Sequence, residues 1–495
     1  MGVVRNQATF NTIISFAGLF LGALNILFLY RIYFTLEEFG LVNLLVSITL
    51  VFSQISALGT VNTIIRFFPF FETKDNIHHG FVNWVTLISL IGFALLTLFY
   101  ILFRPAIESA FIENSPIYIE YYYVIIPLAG FTLLFNLFEA IARAIHRTVY
   151  SAFLKDVLLR LLTTAGILLV GFKMITFDDF VLFFVFINFL IALLVFLQLA
   201  FSGRLKFNLD FTSIPFPKVK EFFGYGLFSL LAFSAYYITL NMYRIMIGSL
   251  VSIDIVGIYS IFLFVATVIA FPTRAISRII VPIIADAWKK NDTEKIHSLY
   301  KKTSLIQLIL ALWIFIGIWA NEHNILTVLN KPEYYGYFNI FIFLGISFLI
   351  DATGSINSDI LSTSVKFKFD TLFNILFLFT GVLLNFIFIP VYGGVGAAVA
   401  TAVAMFVFNI GKWFYIKHQF GMQPFGIKHI YVVAIGVITV LVGINLPIIG
   451  NFIVDVLYRS ILVTILFIGS IYLFKFSDDL NDYVSLLLVK AKLKR

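Results

Sequence analysis

Cysteine is missing from all 495 residues, which excludes disulfides, thiolate metal sites and cysteine nucleophiles and carries no information about compartment. Charge is scarce: Asp, Glu, Lys and Arg make up 12% of the chain, against about 25% in an ordinary soluble domain. The seven histidines form no H-E-x-x-H or similar metal-binding spacing, and the adjacent His78 and His79 would face different ways on a helix. A phosphate-binding G-x-x-x-x-G-K-[ST] loop is also lacking. The one Gly-Lys pair, Gly411 and Lys412, is followed by Trp413, so ATP hydrolysis by this chain is not expected. Cofactors and metals are therefore not expected.

What the chain does have is apolar surface. Hydrophobic residues reach 61%, with 60 Phe and 23 Tyr and a mean hydropathy of +1.01, the composition of a polytopic membrane protein with aromatic residues at lipid and interface. The N-terminal MGVVRNQATF carries one arginine and no cleavage site follows it, so the first helix is read as uncleaved. Apolar runs long enough to span a bilayer lie near 9–33, 39–71, 80–103, 117–144, 150–173, 177–201, 221–248, 252–283, 302–321, 336–364, 370–391, 394–417, 429–448 and 452–474. Runs of this length satisfy their backbone hydrogen bonds only as helices. The expected fold is all-α with 14 transmembrane helices.

Alternate connections collect lysine and arginine: Lys74; Arg143, Arg147 and Lys155; Arg204, Lys206, Lys218 and Lys220; Lys289 to Lys302; Lys366 and Lys368; Lys412, Lys417 and Lys428. The intervening ones hold few, among them Arg31, Arg104, Lys173, Arg244, Lys331 and Arg459. Positively charged loops stay cytoplasmic, so both termini are expected there. The net charge of +8 is met by this bias and by anionic lipid, without a nucleic-acid partner. The basic tail, SDDLNDYVSLLLVKAKLKR, reads as an amphipathic anchor on the cytoplasmic leaflet.

The chain also repeats. EEFGLVN (37–43) after the first helix matches DIVGIYS (254–260) after the seventh, aligning Gly40 with Gly257. Glu139 precedes His146 by seven residues, as Asp359 precedes Lys366. Both matches keep the helix count, giving two six-helix bundles plus two extra C-terminal helices. The bundles cover 1–201 and 221–418, joined by a linker at 202–220 and followed by helices within 429–474 and the tail at 475–495.

Three stretches carry a family resemblance. FPTRAISRIIVPIIADAWKKNDTEKIHSLYKKTSL (271–305) looks like the eighth helix and following cytoplasmic segment of polysaccharide flippases; FIPVYGGVGAAVATAVA (388–404) resembles their eleventh-to-twelfth helix turn; FGLVN with ALGTVNTIIRFFP resembles their second helix. With the helix layout the resemblance spans essentially the whole chain. It is to Wzx-type flippases (the PST family) of the multidrug/oligosaccharidyl-lipid/polysaccharide exporter superfamily. It implies a non-enzymatic, multi-pass protein of the bacterial cytoplasmic membrane. Such a protein flips a polyprenyl-diphosphate-linked oligosaccharide during cell-surface polysaccharide synthesis, such as the O-antigen of lipopolysaccharide. Membrane lipids and H+ or Na+ are the other partners implied.

A diphosphate can enter hydrocarbon only if fixed cations replace its water, and arginine's planar, permanently charged fork suits it best. By the resemblance, helices 1, 2, 7 and 8 line the cavity, and they carry Arg31, Arg66, Arg244, Arg274 and Arg278. Arg274 and Arg278, four apart, share a helix face. The blander reading stays open: Arg31, Arg66 and Arg244 lie near helix ends and can snorkel. Among acids, Asp351 sits too deep for a short side chain to reach water, so it couples transport to an ion or pairs with an arginine. Asp359 and Glu139 are further coupling or charge-pairing candidates, nearer the cytoplasm. Asp156 and Arg160 read as a local ion pair. Asn25, Asn188, Asn241, Asn357 and Asn385 bind sugar hydroxyls or one another's helices. Two rivals remain. A glycan polymerase or ligase would need a longer external loop than those around 104–116 and 322–335, and a drug or metabolite antiporter of the same superfamily typically stops at twelve helices.

Overall fold

The second helix begins where it does because Thr35 and Glu38 form a capping box. The Thr35 hydroxyl accepts from the Glu38 amide at 3.1 Å and the Glu38 carboxylate from the Thr35 amide at 2.8 Å. Thr176 and Asp179 repeat the device at Phe177–Phe201. The computed structural model describes residues 2–71, 80–202, 214–478, 480–482 and 485. Most of the basic tail, much of the linker at 202–220 and Lys74 lie outside the described residues.

Every element among the described residues is helical, and eleven helices are long and apolar enough to cross a membrane. The helical segments at 148–171 and 216–250 are each interrupted by π-helical turns, Leu154–Leu158 and Leu230–Ser234. Phe367–Phe420 runs for 54 residues through Gly393, whose φ of 57° and ψ of −136° are not helical. Gly393 sits in the stretch read as a turn between two helices, and glycine tolerates such a conformation. The run predicted at 39–71 is not one helix. It breaks at Leu58 and Gly59, both with positive φ, into Leu36–Ser56 and Thr60–Phe71.

Two compact units result: Met1–Ile261 with Asn385–Gly394, and Phe262–Leu384 with Val395–Arg495. In the first, the opening helix lies so close to the segment at 148–171 that a Cβ on Gly18 would stand 2.5 Å from the Asp156 carbonyl oxygen. Polar groups hold the same seam. Asn25, buried in the π turn Leu24–Leu29, donates to the Arg160 carbonyl at 3.1 Å and accepts from Thr164 at 2.7 Å. Arg160 donates to the Gly18 carbonyl and Asp156 accepts from Ser15 at 3.3 Å, so the expected Asp156–Arg160 ion pair gives way to contacts across the seam. Gly40 and Gly257, aligned as repeats in the sequence, pack against each other: a Cβ on Gly257 would lie 3.3 Å from the Gly40 nitrogen. Small residues permit this approach of two membrane helices.

The core of the first unit gathers Ile64, Phe68, Phe71, Phe81 and Phe222, with Phe71 stacked on Phe81 at 5.2 Å between centroids. In the second unit a core around Ile284, Tyr300, Ile360 and Ile416 packs the helices at 271–289, 293–320, 357–363 and 367–420 together. Large apolar residues left exposed, such as Phe379, Ile430 and Ile465, form surface suited to acyl chains.

Candidate functional site

Within the first unit, a cavity of about 580 Å³ opens between the helices at 36–56, 60–71, 125–144, 154–171, 177–201 and 235–250. Its wall is more polar than a membrane interior tolerates without cause. The hydroxyl of Thr49, a residue 5% exposed, has no hydrogen-bond partner. Among the described residues the side-chain amides of Asn62 and Asn136 also lack one. Asn188 donates to the Phe184 carbonyl of its own helix at 2.8 Å, which leaves its amide oxygen to the cavity. Glu139 and Lys155 meet across it at 3.6 Å, and Arg143, exposed, stands four residues beyond Glu139 on the same wall. Phe135, Phe184 and Tyr237 supply aromatic surface.

The predicted arginines take separate surroundings. In the first unit, Arg66 lies on the exposed face of its helix beside Ile65 and Phe70, its guanidinium 4.4 Å from the centre of the Tyr225 ring and 5.5 Å from that of Phe67. The pattern in TIIRFFPFF explains this, since Ile64, Phe68 and Phe71 share the buried face and Arg66 the opposite one. Arg244 is half-buried, donating to Ser260 at 2.9 Å and to Ser47 at 3.4 Å. Arg31 is half-buried in the last turn of its helix. In the second unit, Arg274 and Arg278 are both exposed on one helix.

The acids Asp351 and Asp359, both half-buried, lie within electrostatic reach of the buried Lys412 in the second unit. Asp351 accepts a long hydrogen bond from Asn409 at 3.5 Å and lies within electrostatic reach of Lys412 and Arg274. Asp359 is hydrogen-bonded by Ser277, between the two arginines. Lys412 is 0% exposed. Its ammonium donates to Asp370 and to Ser358, each at 2.7 Å, and stands 3.9 Å from the centre of the Phe408 ring. Nearby, Tyr300 bonds to Asn357, which bonds in turn to Asn409 at 3.4 Å. The Gly426 amide donates to His429 Nδ1 at 3.2 Å, so Nε2 carries the proton and donates to Ser304 at 3.1 Å.

Sequence reasoning missed Lys412 and Arg459 by counting both as loop charges. Arg459 is 3% exposed and uses all five of its N–H donors: Asp455 at 2.7 Å and the carbonyls of Ala320, Gly443, Leu446 and Pro447 at 2.8–3.2 Å. Asp455 also accepts from Asn324 at 2.6 Å and from the Ile449 amide at 2.8 Å. The signals were present: Lys412 stands inside the apolar stretch FVFNIGKWF, and Asp455 and Arg459 have helical i, i+4 spacing. Of the five asparagines singled out in the sequence, Asn188 lines the cavity, while Asn25 and Asn357 bridge helices and Asn241 bonds to the Tyr237 carbonyl one turn back.

No family model and no curated protein matches the chain. Solved structures do. The lipid II flippase MurJ in an inward closed conformation is similar at a TM-score of 0.72 and 15% identity, over 94% of this chain and 99% of that one. An inward-facing multidrug resistance MATE family transporter of the MOP superfamily matches at 0.60 and 16%, over 83% of this chain and 94% of that one. A mutant of the Vibrio cholerae MATE transporter VcmN matches at 0.53 and 13%, over 85% and 99%. The chain therefore has the fold that these solved structures share.

Proposed function

We propose that this chain is a flippase that moves a polyprenyl-diphosphate-linked oligosaccharide across the bacterial cytoplasmic membrane by alternating access, in the manner of the Wzx-type proteins its motifs resemble. The observation that carries this reading is the extent of the likeness. The flippase fold accounts for 94% of the chain, the MATE folds for 83–85%, a margin of the size the last two helices would occupy. Fourteen spans follow if Gly393 divides two helices and the two π-interrupted segments each cross once. Two six-helix bundles, both termini in the cytoplasm and a diphosphate cradle of Arg31, Arg66, Arg244, Arg274 and Arg278 belong to the same proposal. Asp351, Asp359 and Glu139 are its candidates for ion coupling to H+ or Na+. A drug or metabolite antiporter is the second reading, favoured by the MATE likenesses.

Purified full-length chain in proteoliposomes separates them. The flippase reading expects translocation of a lipid-linked oligosaccharide and none of organic cations under an ion gradient; the reverse result would establish the antiporter. Alanine at Arg66, Arg274 or Arg278 is expected to slow translocation about tenfold or more where the guanidinium holds phosphate. Unchanged transport in all three, at normal protein level, would remove the cradle.

A further inference from the structure

In the first unit, polar side chains that lack protein partners converge on one cavity. An amide or hydroxyl buried in a membrane bundle without a hydrogen bond costs stability. Thr49 meets that cost outright, and Asn62, Asn136 and the Asn188 amide oxygen, on half-buried residues, line the same cavity without a protein partner, so the lining holds donors and acceptors ready for a polar occupant. Amides offer donor and acceptor together, as a vicinal diol does, and Phe184 and Tyr237 provide flat apolar faces. This is the chemistry of a pyranose ring, polar at its edge and apolar on its face. The charged rim adds a sign. Arg143 and Lys155 stand against Glu139 alone among the lining residues, and Glu139 already engages Lys155 at 3.6 Å. Arg143 is left as net positive charge facing the cavity, and a volume of about 580 Å³ lies in the range of small-ligand sites.

We propose that this cavity is a recognition subsite for an anionic sugar: a pyranose bearing a carboxylate or comparable oxyanion, its hydroxyls on the amides and its charge on Arg143 and Lys155. The inference rests on the flippase reading and names the class of glycan it carries. A lipid diphosphate would present oxyanions to the same cations, but it has no hydroxylated ring for Asn62, Asn136 and Asn188 to meet.

The test is binding of three probes to the full-length chain in nanodiscs by saturation-transfer NMR and competition: methyl glucuronide, methyl glucoside and inorganic pyrophosphate. Methyl glucuronide is expected to bind about tenfold more tightly than methyl glucoside, the size of one charge-assisted hydrogen bond. The double variant Arg143→Gln, Lys155→Gln is expected to erase that preference, while Arg143→Lys keeps it, which covers the case of a double variant that does not fold. Glu139→Gln is expected to raise glucuronide affinity about threefold, by removal of a like charge, and to leave glucoside unchanged. Asn136→Ala is expected to weaken both sugars.

Equal binding of the two sugars in every variant, or no saturable sugar binding, would overturn the proposal. Pyrophosphate binding without sugar binding would assign the cavity to a headgroup and overturn it as well. Translocation of lipid-linked oligosaccharide without sugar binding here would refute this subsite and leave the flippase reading standing, whereas sugar binding without translocation would do the reverse.

Discussion

In the first unit, Thr49, Asn62 and Asn136 line a cavity with groups that no protein atom satisfies; in the second, Lys412 and Arg459 are buried deeper and meet partners on every side. Both units place polar atoms among apolar helices. The difference lies in what answers them. Where the protein supplies its own counter-groups, the polar atoms fasten helices to one another and the site is closed. Where it does not, the polar groups stay available to whatever occupies the cavity. Polarity inside a membrane unit thus marks function only when it is unanswered.

The sharpest way to break this comparison is to open a closed site. Arg459→Leu strands Asp455 at the turn between the last two helices, and a loss of about 3–5 kcal/mol is expected from an uncompensated buried charge. It should read out as a lower unfolding temperature in detergent, partly restored by adding Asp455→Leu. Restoration matters: if the double variant were no better than the single, the pair would not be the clamp described.

Next in size, Lys412→Met is expected to cost about 3 kcal/mol, toward the lower end because the Asp370 side chain keeps 11% exposure. Adding Asp370→Leu should return most of the loss. Gly59→Ala tests the break between Leu36–Ser56 and Thr60–Phe71. With φ at +75° and a Cβ 1.8 Å from the Gly226 carbonyl oxygen, about 2 kcal/mol of destabilisation is expected.

The smallest effect should come from the open site. Lys155 keeps about half its side chain exposed, at 49%, so Lys155→Ala is expected to change stability by less than about 0.5 kcal/mol. Its consequence should appear in ligand affinity. A large stability loss there, or none at Arg459, would erase the distinction between the open site and the closed one.

Much of this protein could be read from its residues in order. Long apolar runs dictated helices, since a backbone in hydrocarbon must satisfy its own hydrogen bonds, whereas the helix starts at T-L-E-E and T-F-D-D, set by side chains three residues apart, went unread until the structure showed both capping boxes. The face of TIIRFFPFF that carries Arg66 was not read from the sequence, although a period of 3.6 accounts for it once Ile64, Phe68 and Phe71 are known to be buried. Tertiary structure alone decided which charges are answered. Lys412 meets Asp370 42 residues away and Arg459 meets the Ala320 carbonyl 139 residues away, distances along the chain over which no local pattern acts. The cavity is likewise a product of packing: its polar groups come from several helices, and each is an ordinary asparagine, threonine or lysine until the others are brought beside it.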